Sequence, residues 1–394
     1  MSEFQASNFK KENGGTPDLL GKTELTSPYF FVPPSGTTAE RPESCAAGTL
    51  RFNTDIGTLE VYKGDNIGWV QILKRENQYL GGGTGSNTGT GTRGLMYSPS
   101  IVGDGETNII EFITISTMGA QQDFGDSTVS ARQRGGLGNS TRAMACAGTT
   151  SAPNKTDTID FVTVSSTGNA TDFGNLPSAM GYTGGFGDKT RGCFAGGADT
   201  PTYSANNEIK YVTYSSTGDT TDFGDYGLST YNIDTTSNAT RGIMSGGATN
   251  DNRIEYVTIQ STGNANDFGD TITGVRSTGA PGTGNAVRGM YGGGNHGSSP
   301  TITATIQYFQ FSTLGNCADF GDLTVARDSG SAGSSATRAI WGGGRTGPPA
   351  AEALKDTMDY IEIPTLGNAV DFGNLIAATR YNSGFSNTNG GVQG

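Results

Sequence analysis

The stretch STGNATDFGN, residues 166–175, contains a triplet that recurs along the chain. DFG occurs six times, at Asp123 and Phe124, Asp172 and Phe173, Asp222 and Phe223, Asp267 and Phe268, Asp319 and Phe320, and Asp371 and Phe372. Twelve residues before each of these Phe stands an aromatic: Phe112, Phe161, Tyr211, Tyr256, Tyr308 and Tyr360. A third marker is an Arg that opens a short apolar run, as in TRGCFAGG and TRAIWGGG; these are Arg93, Arg142, Arg191, Arg241, Arg288 and Arg338. The units follow one another at 45–52 residues. A fixed period of that size reports the architecture before any single residue does.

Each unit reads as strands. TRAIWGGG is a strand ending where glycines permit a turn and close backbone packing. In IEYVTIQ both faces carry apolar groups, as a strand buried between two layers requires. STGNATDFG is a tight turn followed by an outer strand. The segment after DFG crosses to the next unit and supplies its innermost strand. Composition agrees: 63 of 394 residues are Gly and only 33% are apolar, which suits an all-β chain with many turns. A period near 50 with several short strands per unit predicts propeller blades. The Arg, the strand ending in Gly-Gly and the downstream aromatic strand resemble Kelch repeats over residues 92–394. DFG stands where Kelch blades usually carry Trp. The first unit lacks an inner strand, and the last ends in a spare one. The expectation is a six-bladed Kelch-like β-propeller closed by a C-terminal strand near residues 381–388, paired beside residues 94–98.

DFG is also the magnesium-holding triplet of protein kinases, but a kinase has one copy, with an HRD loop. Here there are six, and no HRD. Two oxygen-bearing side chains in DFGD or DFGN can serve a hard cation. The favoured reading is structural: the Asp caps a turn through backbone hydrogen bonds, and the Phe packs between blades.

Length varies mainly between the Arg strand and the aromatic strand, while the aromatic-to-Phe offset never changes. In a propeller those loops emerge on one face, and variable loops on a rigid scaffold are a common binding device. Tyr97, Tyr203, His296 and Arg345 are the candidate partner contacts there.

Residues 1–76 show no repeat. AAGTLRFNTDIGTLEVYKGDNIGWVQI reads as a small β-meander. Residues 77–91, which include GGGTGSNTGTG, read as a flexible linker. The RFNTDIGTLEVY segment resembles one found in virion structural proteins of tailed bacteriophages. With the opening FKKENGGTPDLLGKTELTSPYFFVPPSGTT and the Gly-rich DFG units, the whole chain resembles proteins of marine cyanophages. The resemblance implies an exterior virion component, such as a tail fibre or other head or tail appendage. Its N-terminal module, with Tyr29, Phe30 and Phe31, would dock to other virion proteins, in several copies on the particle. The propeller would then face a host-surface glycan or protein.

Net charge is −12, which disfavours nucleic acid as a partner. No apolar run reaches the roughly 18 residues a membrane span needs. The four cysteines lie far apart without CxxC or Cys/His clustering, so neither a metal site nor a cofactor is expected. Catalytic residues are not expected either. General acid–base work most often uses His, and the chain has only His296, set in Gly-rich GGGNHGSSP. One His is too few for a copper centre, and no Gly-rich turn ends in GK[ST]. Two alternatives stay open: a purely structural spacer of head or tail, and a polysaccharide-degrading enzyme with paired carboxylates.

Overall fold

The computed structural model describes residues 33–42, 45–55, 58–65, 67–71, 93–97, 100, 105–151, 154–200, 202–248, 251–272, 275–276, 282–296, 301–347, 353–381 and 383–386. Tyr29, Phe30, Phe31 and the linker expected at residues 77–91 lie outside them. Among the described residues the fold is all-β, apart from one short 3-10 turn at Thr38–Glu40. Among the described residues no helix is long and apolar enough to cross a membrane. The chain divides into two compact units, Met1–Arg75 and Glu76–Gly394.

In the first unit Leu50–Asn53, Thr58–Tyr62 and Trp69–Gln71 form an antiparallel meander, and Ser35–Gly36 adds a parallel edge. A unit this small buries little apolar surface, and it is held partly by charge. Glu60 is fully buried; it accepts from Asn53 Nδ2 at 2.7 Å and pairs with Arg41 and with Arg51 at 3.8 Å. The Arg41 guanidinium on its carboxylate is the main reason Glu60 stays below the usual carboxylate range.

The second unit repeats one sheet six times, here called sheets I to VI. From innermost to outermost strand, sheet I is Ser383–Ser386, Arg93–Tyr97, Ile109–Thr114 and Gln122–Asp126. Sheet II is Gly135–Gly138, Arg142–Cys146, Thr156–Thr163 and Thr171–Gly181; sheet III is Gly184–Gly187, Arg191–Ala195, Asn206–Thr213 and Thr221–Thr230. Sheet IV is Asp234–Ser237, Arg241–Ser245, Arg253–Thr258 and Asn266–Asp270; sheet V is Gly282–Gly284, Arg288–Gly292, Thr305–Gln310 and Ala318–Asp322. Sheet VI is Ser331–Ser334, Arg338–Gly342, Ala353–Glu362 and Val370–Thr379. The innermost strands neighbour one another in this order, and Ser383–Ser386 touches those of both sheets VI and II. Ser383 lies opposite Tyr97 and Ser386 opposite Gly94, so the end of the chain completes its first sheet.

The DFG triplet is a β-bulge in all six sheets. Ile110 faces Gly125 while Glu111 faces Asp123, which leaves Phe124 without a partner residue. The same slip occurs at Phe173, Phe223, Phe268, Phe320 and Phe372. A bulge re-aims the side chain it carries. Each re-aimed Phe meets, edge to face, the aromatic twelve residues earlier, with centroids 5.7–6.1 Å apart. The marker Arg lies over the same aromatic, its guanidinium 4.6–5.1 Å from the ring centre. This Arg–aromatic–Phe cluster joins π-quadrupole and cation attraction to burial.

The cluster also reaches the next sheet. Arg93 donates to Val164 O at 2.6 Å, Arg191 to Ile259 O at 3.1 Å and Arg288 to Ile363 O at 2.6 Å. Arg142 and Arg241 make the same bond to Tyr214 O and Phe311 O. Arg338 reaches Ile115 O at 3.4 Å, which carries the series from sheet VI back to sheet I. Six apolar clusters fill the spaces between successive sheets, and each contains the bulged Phe of the earlier one.

The Gly of DFG is there for close approach. Gly174 has φ 153°, and a Cβ on it would lie 2.2 Å from Gly218 O of the next sheet's turn. That turn docks through Gly218 N–H to Phe173 O at 2.7 Å, while Asp219 Oδ1 accepts from Asn175 N at 2.9 Å. Asn169, Asn264, Asn316 and Asn368 repeat the side-chain bond at 3.0–3.1 Å. This corrects the expected role of the repeated Asp. Asp123, Asp172, Asp222, Asp267, Asp319 and Asp371 are exposed on the outer strands; for the first five the turn residue of the next sheet makes the cap instead, while after Asp371 the next turn carries Ala120 and docks through backbone bonds alone.

One position in each third strand, beside the bulge, is polar although mostly buried. Asp160, Glu255, Gln307 and Asp359 accept the N–H of Thr128, Gly227, Ile272 and Thr324, which follow the preceding sheet's bulge. In sheet III the position is Lys210, and its counterpart is Pro177, which has no N–H to offer. In sheet I it is Glu111, 5% exposed, whose pKa is pushed up to about 7, chiefly by burial and then by Asp123. A raised native pKa means the folded state holds the proton more tightly. The stabilisation is complete below the ordinary value of 4.5 and is lost as pH rises through about 7. Between pH 5 and 8 the wild type should therefore lose up to about 3 kcal/mol relative to Glu111→Gln. Thermal melts of both proteins across that range check this; parallel pH profiles would assign the titration elsewhere.

Candidate functional site

The innermost strands surround a cavity of ≈ 140 Å³, lined mainly by backbone, glycines and hydroxyl side chains. At one end it is lined by residues where the chain enters those strands. The entry residues of five sheets are Gln133, Tyr182, Asn232, Ser329 and Tyr381, all left-handed with φ of 58–65° and none of them Gly. Non-glycine residues in that region carry strain and persist only where the surroundings hold them. Here the holding is mutual. Asn232 N donates to Tyr182 O at 2.9 Å and Tyr182 N to Gln133 O at 2.9 Å; Gln133 N donates to Tyr381 O at 3.3 Å and Tyr381 N to Ser329 O at 2.7 Å. The bonds run from sheet to sheet around this end.

The loops after the second strands gather at the same end. Thr149 bridges Arg132, Ala198 pairs with Gly181, Arg345 bridges Asp328, and Ser100 bridges Arg380. Each partner directly precedes a left-handed entry residue. The variable loops are thus clipped to the rim.

Aromatic rings concentrate on one side of this rim. Tyr182 lies 5.5 Å from Tyr231 and 6.2 Å from Tyr203, tilted at 58° and 53°. Its pKa is pushed up to about 12, first by burial and then by Tyr203. Tyr203, with φ 55°, is 40% exposed, and its loop is pinned by Asp199 Oδ1, which accepts from Ser204 N at 2.9 Å. Lys155 Nζ sits 3.8 Å from the Tyr203 ring centre and donates to Asp199 O. Burial lowers the pKa of this lysine. Farther round, Arg132 and Arg380 cover Tyr381 at 5.9 and 4.7 Å, and Arg132 lies 3.8 Å from Glu106. Such a rim offers ring faces, amides and phenol hydroxyls for stacking and hydrogen bonding.

Of the residues singled out in sequence, Tyr203 stands on this rim. Tyr97 does not: it ends the second strand of sheet I, fully buried, with its hydroxyl on Ala143 O at 2.9 Å. Its candidacy as a contact is corrected to a core role, because it is the last residue of that strand and its side chain packs in the apolar cluster between sheets I and II. Arg345 is half-buried and grips Asp328 through Nε at 2.7 Å, so it fixes the rim beside Ser329. His296 belongs to the two-residue strand Asn295–His296, opposite Val275, and its side chain lies outside the described residues. Sequence reading missed Gln133, Tyr182, Asn232, Ser329 and Tyr381, since they share a position and not a residue type. The signal that marks them is their place just before each innermost strand.

No protein-family model matches the chain, and no curated protein matches it.

Proposed function

We propose that the chain is a non-enzymatic surface protein of a tailed-phage virion. In this reading residues 92–394 are a six-bladed, Kelch-like β-propeller, displayed through a linker from an N-terminal module that docks on the particle. The rim that carries Tyr182, Tyr203 and Tyr231 contacts the host surface. The observation that carries the reading is the gathering of exposed and half-buried aromatic rings at one end of the ring of sheets, where the variable loops also meet. Cyclic neighbourhood of the innermost strands and the Arg338–Ile115 bond support the closed propeller. Display in several copies would turn weak contacts into firm attachment.

Removing residues 1–80 should leave a folded propeller that no longer copurifies with particles. Immunodetection on purified particles reads this out, and undiminished incorporation of the truncated chain would refute docking through the N-terminal module.

A further inference from the structure

We propose that the Tyr182–Tyr203–Tyr231 rim is a glycan site, and that it takes a neutral sugar ring laid on Tyr203. The inference rests on the reading of the chain as a host-contact protein and adds the ligand class and the residues.

Three observations carry it. The first is ring presentation. Tyr203 keeps 40% of its surface open, although Lys155 lies 3.8 Å from its ring centre and the Tyr182 ring 6.2 Å away. A sugar ring carries a C–H face that packs on an aromatic face and an edge of hydroxyls that needs hydrogen-bonding partners. An exposed, pinned tyrosine meets the first need with little loss of side-chain freedom.

The second is the polar complement. The half-buried Gln133 and Asn232 flank Tyr182 and line the same cavity, as do Tyr182 itself and Thr183. Amides and hydroxyls donate and accept, as alternating sugar hydroxyls require. Gln133, Tyr182 and Asn232 are locked left-handed in the hydrogen-bonded rim, so the site is preformed.

The third is charge. Lys155 is turned onto the Tyr203 face and the Asp199 carbonyl, Arg345 grips Asp328, and Arg132 and Arg380 lie over the Tyr381 ring, Arg132 also beside Glu106. These cations orient the rim and do not present an open row to an acidic polymer. The chain as a whole carries −12, which repels polyanions. A neutral glycan avoids that penalty.

The test uses the full-length chain, Tyr203→Ala and Tyr203→Phe, each checked for an unchanged melting temperature. Binding is measured by titration calorimetry to neutral hexasaccharides of glucose, galactose and mannose, with a hexuronate oligomer as the acidic arm. Adsorption of the same proteins to host cells is measured in parallel. The expected result is binding to at least one neutral hexasaccharide and weaker binding to the hexuronate. Tyr203→Ala should lose tenfold or more in affinity, and Tyr203→Phe should retain most of it. Adsorption to cells with no neutral-sugar binding, or with Tyr203→Ala unaffected, overturns the glycan site while the host-contact reading stands. No binding to cells or to any sugar overturns both.

Discussion

Gly174→Ala is expected to lower the free energy of unfolding by about 3–5 kcal/mol. The methyl would lie 2.2 Å from Gly218 O, which belongs to backbone and cannot rotate aside. Relief requires sheets II and III to separate where Gly218 N–H bonds Phe173 O. Gly218→Ala is the matched control. Its φ is 155°, close to the 153° of Gly174, yet nothing lies within 4 Å of its would-be Cβ. It should cost only about 1–2 kcal/mol, from backbone conformation alone. Urea titrations of the two variants separate intersheet collision from local strain; equal losses would mean that the collision is not what the glycine avoids.

Asp160→Ala should be comparably severe, at about 3–5 kcal/mol. Asp160 and Arg134 are both fully buried, 3.1 Å apart. Asp160 also accepts from Ser127 Oγ at 2.7 Å and Thr128 N at 2.9 Å, and thereby ties sheet II to the end of sheet I. Removing it leaves a guanidinium in the interior without its counter-charge, bonded to neutral partners that include the Ala145, Ala147 and Thr158 carbonyls and the Ser127 hydroxyl. Replacing both charges at once, with Arg134→Met and Asp160→Leu, should cost less than Asp160→Ala alone, because desolvating an unpaired charge is the dominant loss. A double-mutant cycle by chemical denaturation decides; a double variant worse than the single would show that the pair contributes more than the burial of its charges.

The sheet plan was legible in the sequence because its constraints recur. A fixed offset of twelve residues between Phe112 and Phe124, repeated through Tyr360 and Phe372, can persist only if the two rings meet in the same way each time. The need for Ser383–Ser386 beside Arg93–Tyr97 was visible because each end of the repeat lacked what the other had spare. The bulge was not visible. DFG drew attention to its Asp, the residue with chemistry, whereas the working parts are the Phe that the bulge re-aims and the Gly that admits the next turn. The rim was hidden for a different reason. Gln133, Tyr182, Asn232, Ser329 and Tyr381 share a backbone conformation, and conformation leaves no letter in the sequence when the residue is not Gly. Tyr203 was found because it lies in a loop of variable length, and such loops also surround the rim.

The pairing of Ser383–Ser386 with Gly94–Tyr97 has a consequence for how the protein is made. The second strand of sheet I leaves the ribosome nearly three hundred residues before its inner partner. Throughout that interval its inner edge is an open row of backbone donors and acceptors, a template for any passing strand. The other five sheets take their inner strands from the segment just ahead and can assemble as they emerge. Synthesis should therefore pass through a late species with five complete sheets and one incomplete, whose last step is a contact of very high sequence separation. In a cell making many copies at once, two such species can exchange C-terminal strands. Expression level and temperature would then govern yield through that single late step, whatever the stability of the finished ring.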